Sequence, residues 1–362
     1  MIKTTAIKLI NPEPMMVTWD TGRRCNYDCT YCESTRHDNN SPYHSLEELK
    51  ETFEFVKSWT RAYNDRRQIQ SHTNINFTGG EPTMNPAFWD LVDYIKAEPG
   101  FELSLTTNGA WNSKYTQKII DRFHGVTVSY HAEGHPELKK QVLNNIISLK
   151  KTGIRLQVNV MLHVDHWAEC MDVYNSLKRH NINVKPRPIG DGGVDRPGWF
   201  IDADGTNRRT THDYDRFQQG WFFEEMGIKG TAEEVKQGTQ LGRGCCGGRC
   251  LQGKVNDQWK SVTLVNNEFK GWSCMVDWYF LHIDQHTGDV YHHQTCQAKH
   301  DGSRGTIGNL KDTQPMLDRL TAHLTDPKPI VCPNMRCGCG MCIPKAETKE
   351  DFNQLWSSIV AS

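Results

Sequence analysis

The stretch that most restricts what this chain can become is Cys25-Asn26-Tyr27-Asp28-Cys29-Thr30-Tyr31-Cys32. Three thiolates at CxxxCxxC spacing can hold three corners of a cubane [4Fe–4S] cluster, because soft sulfur ligands suit iron–sulfur centres. A cubane has four irons, so one corner is left without a protein ligand and can bind a small molecule directly. The alternatives for such cysteines are a zinc knuckle or redox-active thiols. Zinc generally takes four ligands, commonly as two separated pairs, and no fourth cysteine lies close to these three.

The segments around this loop alternate. Residues 15–20 form a first expected strand, with the cysteine loop at its C-terminal end. Ser45 and Glu48 make a capping box for a helix to about Trp59. Further strands are expected over 74–78, 102–106, 126–130, 154–160 and 183–187, separated by helices over 86–96, 113–122, 136–151 and 166–180. Such alternation folds as a parallel sheet with helices outside. The expected class is α/β, and six such units match the partial (β/α)6 TIM-like barrel of the family that the cysteine motif resembles, joined to a small C-terminal α+β domain. In barrels of this kind chemistry sits at the C-terminal ends of the strands.

With 362 residues the chain can bury a large core and is expected to divide. We expect a barrel over 1–190, a connector or lid over 191–244, a cysteine-rich domain over 245–345 and a terminal helix over 346–362. Its 42 basic and 43 acidic residues nearly cancel, which points away from a nucleic-acid or membrane partner. No apolar run approaches a membrane span and no signal-peptide pattern opens the chain, so a soluble, cytoplasmic protein is expected. Thirteen cysteines outside the cell would suggest disulfides, but the clustering of most of them, together with the family resemblance that the Cys25–Cys32 motif carries, points to metal clusters in a reducing compartment.

The cysteine motif, followed later by Thr78-Gly79-Gly80-Glu81-Pro82, resembles the radical S-adenosylmethionine (SAM) superfamily. The resemblance implies that Cys25, Cys29 and Cys32 hold a cluster whose open iron takes the amino and carboxylate groups of SAM. It implies reductive cleavage of SAM to a 5′-deoxyadenosyl radical that abstracts a substrate hydrogen, with a flavodoxin- or ferredoxin-like electron donor. Tyr31 would line the cofactor pocket, and Gly79 and Gly80 would let backbone approach the SAM amino group, with Glu81 assisting. Asn108, Ser129, Asn159 and Arg187, at strand ends, would serve the ribose and carboxylate of SAM, Arg187 by its forked donors. Each is equally readable as an ordinary loop residue. His131 and Glu133 follow the fourth expected strand and are candidates for proton handling, against a structural or solvent-facing pair.

Farther on, residues 278–291 read as a β-hairpin flanked by Cys274 and Cys296, and a CxxC follows at Cys339 and Cys342. This layout resembles the twitch domain, a shorter relative of the SPASM domain. The resemblance implies an auxiliary [4Fe–4S] cluster on Cys274, Cys296, Cys339 and Cys342, with a structural zinc on the same four as the alternative. Cys245, Cys246, Cys250, Cys332 and Cys337 have no assigned role, Cys170 is expected in the core, and most hairpin histidines are expected at the surface. The substrate expected first is a peptide or protein side chain, and a small molecule undergoing dehydrogenation second; a non-catalytic iron–sulfur or zinc protein that binds a partner is the alternative of a different class. No leader-binding domain is expected ahead of the first strand at about Met15.

Overall fold

The computed structural model describes residues 6–7, 15–32, 37–67, 70–189, 214–225, 270–276, 280–292, 306–326, 328–332 and 345–360. In chain order its elements are β1 (Ala6–Ile7), β2 (Met16–Asp20), α1 (Leu46–Arg67), β3 (Thr73–Thr78), α2 (Phe88–Lys96), β4 (Phe101–Thr107), α3 (Thr116–Arg122), β5 (Gly125–Tyr130), α4 (Pro136–Thr152), β6 (Arg155–Leu162), α5 (Trp167–Arg179) and β7 (Asn183–Pro188). Then come α6 (Arg216–Glu225), β8 (Ser273–Cys274), β9 (Phe280–Asp284), β10 (Asp289–Tyr291), β11 (Gly308–Asn309), α7 (Gln314–Thr325), β12 (Ile330–Val331), β13 (Lys345–Ala346) and α8 (Lys349–Val360). Helix starts follow local chemistry. Ser45 and Glu48 close the expected capping box, Ser45 N–H donating to Glu48 Oε2 at 2.7 Å and Glu48 N–H to Ser45 Oγ at 3.2 Å. Pro136 opens α4, and Gly153 ends it at φ +79°.

Strands β2 to β7 lie side by side in sequence order, all parallel, with helices α1 to α5 as crossovers. Alternation along the strands separates two chemistries. Val17, Trp19, Ile75, Phe77, Leu103, Leu105, Val126, Val128, Val158 and Val160 are buried toward the helices and share one core with Phe53, Trp59, Leu91 and Ile146. Each such side chain contributes about 1.5–3 kcal/mol when fully buried. The opposite face carries Thr18, Asn76, Ser104, Thr106, Thr127, Ser129, Gln157, Asn159 and Arg187, all only partly buried. These polar groups bond to one another: Ser104 donates to Asn74 Oδ1 at 3.0 Å and Thr106 to Asn76 Oδ1 at 3.2 Å.

The sheet also extends beyond the expected six strands. The hairpin forms, with β9 and β10 antiparallel around Gly288 at φ +76°. However, β9 pairs parallel with β2 over its whole length, aligning His282 with Thr18 and Asp284 with Asp20. The described hairpin is thus continuous with the barrel sheet, which among the described residues has nine strands in the order β11-β10-β9-β2-β3-β4-β5-β6-β7. Against the surface reading of most hairpin histidines, His282 and His292 are buried, while His286 is partly buried and His293 and His300 lie outside the described residues. Pairing with β2 on one edge and β10 on the other makes β9 an interior strand of the sheet. A second sheet of two-residue strands, β1-β13-β8-β12, joins a segment near the start of the chain to the region after Trp272. Within the connector, α6 packs on α5 through Trp221 against Trp167, and Tyr174 donates to Glu225 at 2.6 Å. Cys296, Cys339, Cys342, Cys245, Cys246, Cys250 and Cys337 lie outside the described residues.

Candidate active site

The cysteine loop leaves the C-terminal end of β2 and is anchored at once to the loop after β3. Thr21 N–H donates to Thr78 O at 2.9 Å, Gly80 N–H to Gly22 O at 2.8 Å and Glu81 N–H to Arg24 O at 2.8 Å. Parallel pairing therefore continues past the ends of both strands. Here the two glycines are required sterically. A Cβ on Gly79, which sits at φ +118°, would lie 2.6 Å from Gly22 O, and one on Gly80 would lie 2.3 Å from both Arg23 O and Arg24 O. Within the described contacts, the close approach made by these glycines is to the backbone leading into the cysteine loop.

Glu81 ties the next strand end to the same place. Its carboxylate accepts from Thr83 N–H and Oγ1, from Thr107 Oγ1 and from the Asn108 N–H, the last at 2.8 Å. Burial pushes this carboxyl above its ordinary range, against the stabilising effect of those donors on the ionised form. Asn108 in turn donates to Asn26 Oδ1 at 2.6 Å and lies 3.8 Å from Cys25 Sγ. From Cys25 through Asn108 to Glu81, one chain of bonds joins the cysteine loop to the ends of β3 and β4.

The far side of the cysteine loop meets the segment after β5. Thr30 donates twice to Glu133, from its N–H at 3.1 Å and its hydroxyl at 2.7 Å. His163 Nε2 lies 3.3 Å from the same carboxylate. Tyr31 Oη is 2.5 Å from His131 Nδ1, its ring stacked on the imidazole at 6.0 Å, and Cys29 Sγ lies 3.5 Å from that nitrogen. Burial drives the His131 pKa down to about 4, so near neutrality the ring is uncharged and its Nδ1 shares a hydrogen bond with the Tyr31 hydroxyl. Burial likewise pushes the Cys25 thiol up to about 11 and the Cys29 thiol up to about 12, and nearby cysteines raise both further. Three thiols that repel one another as thiolates need a cation to hold them ionised together.

A second group lies sideways along the polar face. Ser129 and Asn159 are in register on β5 and β6, and Arg187 Nε donates to Asn159 Oδ1 at 3.2 Å, as does Gln157 at 3.0 Å. The sequence-predicted residues thus fall into two sets, one bound to the cysteine loop (Tyr31, Gly79, Gly80, Glu81, Asn108, His131, Glu133) and one on the strands beyond it (Ser129, Asn159, Arg187).

Two features escaped the sequence reading. Asp20 Oδ2 lies 3.1 Å from the buried His282 Nε2, five residues before Cys25, with His282 stacked on Tyr291. Nothing local indicates this, since the partners are on strands joined only by folding. Cys332 N–H donates to Trp272 O at 2.9 Å, continuing the β8–β12 ladder past the pair Cys274 and Ile330. Period-two alternation places Cys274 and Cys332 on one face of that ladder.

The Cys25–Cys32 loop fits a cubane. It presents three sulfurs, Cys29 buried and Cys25 and Cys32 partly so, in a braced turn that has no acidic ligand within it other than the outward Asp28. Among the described residues no three His, Cys, Asp or Glu side chains gather around a single ion, and a cubane does not require this, because each cysteine takes a separate iron. Also among the described residues, no helix is long and apolar enough to cross a membrane.

Comparison with known proteins agrees with this arrangement. Residues 19–177 match the Radical SAM superfamily model. The chain is 28% identical over 178 residues to GTP 3′,8-cyclase of Nautilia profundicola, covering 45% of this chain and 52% of that protein. It is 29% identical over 199 residues to mycofactocin maturase MftC of Mycobacterium tuberculosis, covering 49% and 46% respectively. Against the S-adenosylmethionine-dependent nucleotide dehydratase of Pseudoalteromonas ulvae it is 31% identical over 109 residues, covering 28% and 35%. The chain therefore spans about half or less of the length of these relatives. In fold it is similar to native anSMEcpe with bound AdoMet, at a TM-score of 0.50 and 14% identity over 96% of this chain and 98% of that one.

Proposed function

We propose, from the match of residues 19–177 to the Radical SAM superfamily model, that this chain cleaves SAM reductively and removes a hydrogen atom from a polar substrate. When bound, the cluster and SAM supply the electron transfer and the 5′-deoxyadenosyl radical. The chain's own residues hold and shape the place where this happens. Cys25, Cys29 and Cys32 are the cluster ligands, and their open-corner spacing is what admits SAM. Gly79 and Gly80 let the loop after β3 lie on the cysteine loop, so that its backbone faces the SAM amino group. Glu81 and Asn108 act as positioning residues, because their side chains are bonded within the protein. Ser129, Asn159 and Arg187 offer hydroxyl, amide and guanidinium groups for the SAM ribose and carboxylate. Tyr31 borders the same space. The observation that carries the proposal is the direct bonding of the Gly79-Gly80-Glu81 backbone to the residues entering the cysteine loop.

A peptide or protein side chain is the first substrate reading, from the layout of barrel plus cysteine-rich region. A small polar molecule is the second, favoured by the continuous polar face of β2 to β7 and by two relatives whose names specify nucleotides. We assign Cys274, Cys296, Cys339 and Cys342 to an auxiliary cluster that takes up an electron from the product radical. The shared face of Cys274 and Cys332 makes Cys332 the candidate replacement for one of these ligands. The initial electron would come from a flavodoxin- or ferredoxin-like donor.

The test begins with anoxic reduction in the presence of SAM. The wild-type protein should release 5′-deoxyadenosine, and a variant with Cys25, Cys29 and Cys32 all changed to Ala should not. Deoxyadenosine formation that survives in the variant would overturn the ligand assignment. Iron in that variant reports the rest of the chain: about four atoms per chain for a single auxiliary cubane, about eight for two. Zinc in place of iron would make the C-terminal site structural. Loss of two hydrogens from an added peptide pool favours the first substrate reading over the second.

A further inference from the structure

The contacts between the cysteine loop and the segment after β5 differ in kind from those on its other side. The Gly80 and Glu81 side uses backbone pairing. The β5 side uses one carboxylate, Glu133, which accepts both the N–H and the hydroxyl of Thr30. Thr30 stands between two ligands, Cys29 and Cys32, where the loop makes a tight turn closed by Cys32 N–H donating to Cys29 O at 3.0 Å. The paired bonds fix both the backbone and the side chain of Thr30 to a single carboxylate on another loop. His163, buried on the loop after β6, flanks the same carboxylate at 3.3 Å, and its ring lies against His166 at 4.9 Å. The carboxylate is thus held from one side and bonded to the cysteine loop on the other.

We propose that Glu133, backed by His163, is a positioning residue that clamps the Thr30 turn so that Cys29 and Cys32 are set for the cluster before any metal is bound. This rests on the Radical SAM reading for the identity of the cluster, while the clamp itself belongs to the metal-free protein. It gives Glu133 a task in place of proton transfer to substrate. A loop ordered in advance loses less conformational freedom when the cluster forms, so the clamp raises cluster retention without touching substrate. The bonding pattern also specifies which replacements succeed. A glutamine at 133 can accept from the Thr30 N–H with its carbonyl oxygen and donate to the Thr30 hydroxyl with its amide, whereas alanine can do neither.

The experiment compares Glu133→Gln, Glu133→Ala and Thr30→Val in two states. In metal-free protein, hydrogen exchange of the peptide spanning Thr30 to Cys32 is measured. Glu133→Ala should lose about tenfold in protection at the Thr30 amide, as expected for losing a hydrogen bond to a charged acceptor. Glu133→Gln should remain near wild type, and Thr30→Val, which keeps the N–H, should fall between them. In reconstituted protein, Glu133→Ala should lose iron to a chelator faster and broaden the electron paramagnetic resonance signal of the reduced cluster, while Glu133→Gln restores both. Wild-type exchange and wild-type iron retention in Glu133→Ala would overturn the clamp, as would a Glu133→Gln variant as impaired as the alanine. A variant whose exchange rises throughout the barrel is globally destabilised, and Thr30→Val then decides: exchange equal to wild type at the turn overturns the proposal. If the wild-type protein binds no SAM-cleaving cluster, the functional reading fails while the exchange results still judge the clamp.

Discussion

At the scale of single residues, steric room decides more than chemical identity at Gly79 and Gly80. Their sequence context points to a ligand, whereas their immediate neighbours are carbonyl oxygens of Gly22, Arg23 and Arg24. Gly80→Ala should therefore act through the cysteine loop. Its methyl group, 2.3 Å from two backbone oxygens, must push the loop away from β3 at a cost of about 1–3 kcal/mol. The midpoint of urea unfolding should fall accordingly, and deoxyadenosine formation should drop further than stability alone explains. A variant with full activity and an unchanged midpoint would show that the two loops are not in contact. His131 illustrates the opposite case. Its type suggests acid–base work, but burial keeps it neutral and Tyr31 occupies its Nδ1.

At the scale of elements, β9 is the connection that the chain order conceals. It adds a parallel strand beside β2, and two side-chain contacts reinforce it: Trp19 Nε1 donates to Gln285 Oε1 at 3.0 Å, and Asp20 meets His282. Leu281→Pro, in register with Val17, would remove one ladder donor and oppose strand pairing, at about 3 kcal/mol or more by analogy with helix interiors. Tryptophan fluorescence from Trp19 and iron content should change together, although the substitution lies far from Cys25 in sequence. The helical layer offers a pH test. Glu169 on α5 accepts from Lys139 on α4 at 2.9 Å and from Tyr130 at 2.5 Å. Burial opposes its ionisation, but those donors outweigh burial and the folded pKa lies below the ordinary value. The unfolded chain thus takes up the proton first as pH falls. The stabilisation is complete above the unfolded pKa of about 4.3 and is lost as pH drops through the folded value. Glu169→Gln should lose stability near neutrality and show a shallower acid limb when unfolding midpoints are followed from about pH 7 to about pH 3.

At the scale of the whole molecule, the two sheets are stabilised differently. The nine-stranded sheet shares a broad apolar core with its helices. The sheet β1-β13-β8-β12 consists of strands two residues long, too short to be stable through pairing alone. If the C-terminal cysteines hold a cluster, removing iron from the variant lacking Cys25, Cys29 and Cys32 should loosen this small sheet first. Hydrogen exchange around Cys274 and Cys332 should then rise while the β3 to β6 core stays protected. Equal protection in both states would separate the small sheet from metal binding.

What the sequence determined was periodic or local. The period-two strands, the capping box at Ser45 and the CxxxCxxC spacing can each be read within a few residues, because backbone geometry and ligand reach act over that distance. All six barrel strands were legible for this reason. Tertiary structure decided what depends on partners distant in sequence: β9 beside β2, His282 on Asp20, Cys332 on the face of Cys274, and Glu133 on Thr30. These pairs are separated by roughly 60 to 260 residues. Each is set by how strands align across the sheet and how loops meet at their ends, and no local pattern encodes that alignment.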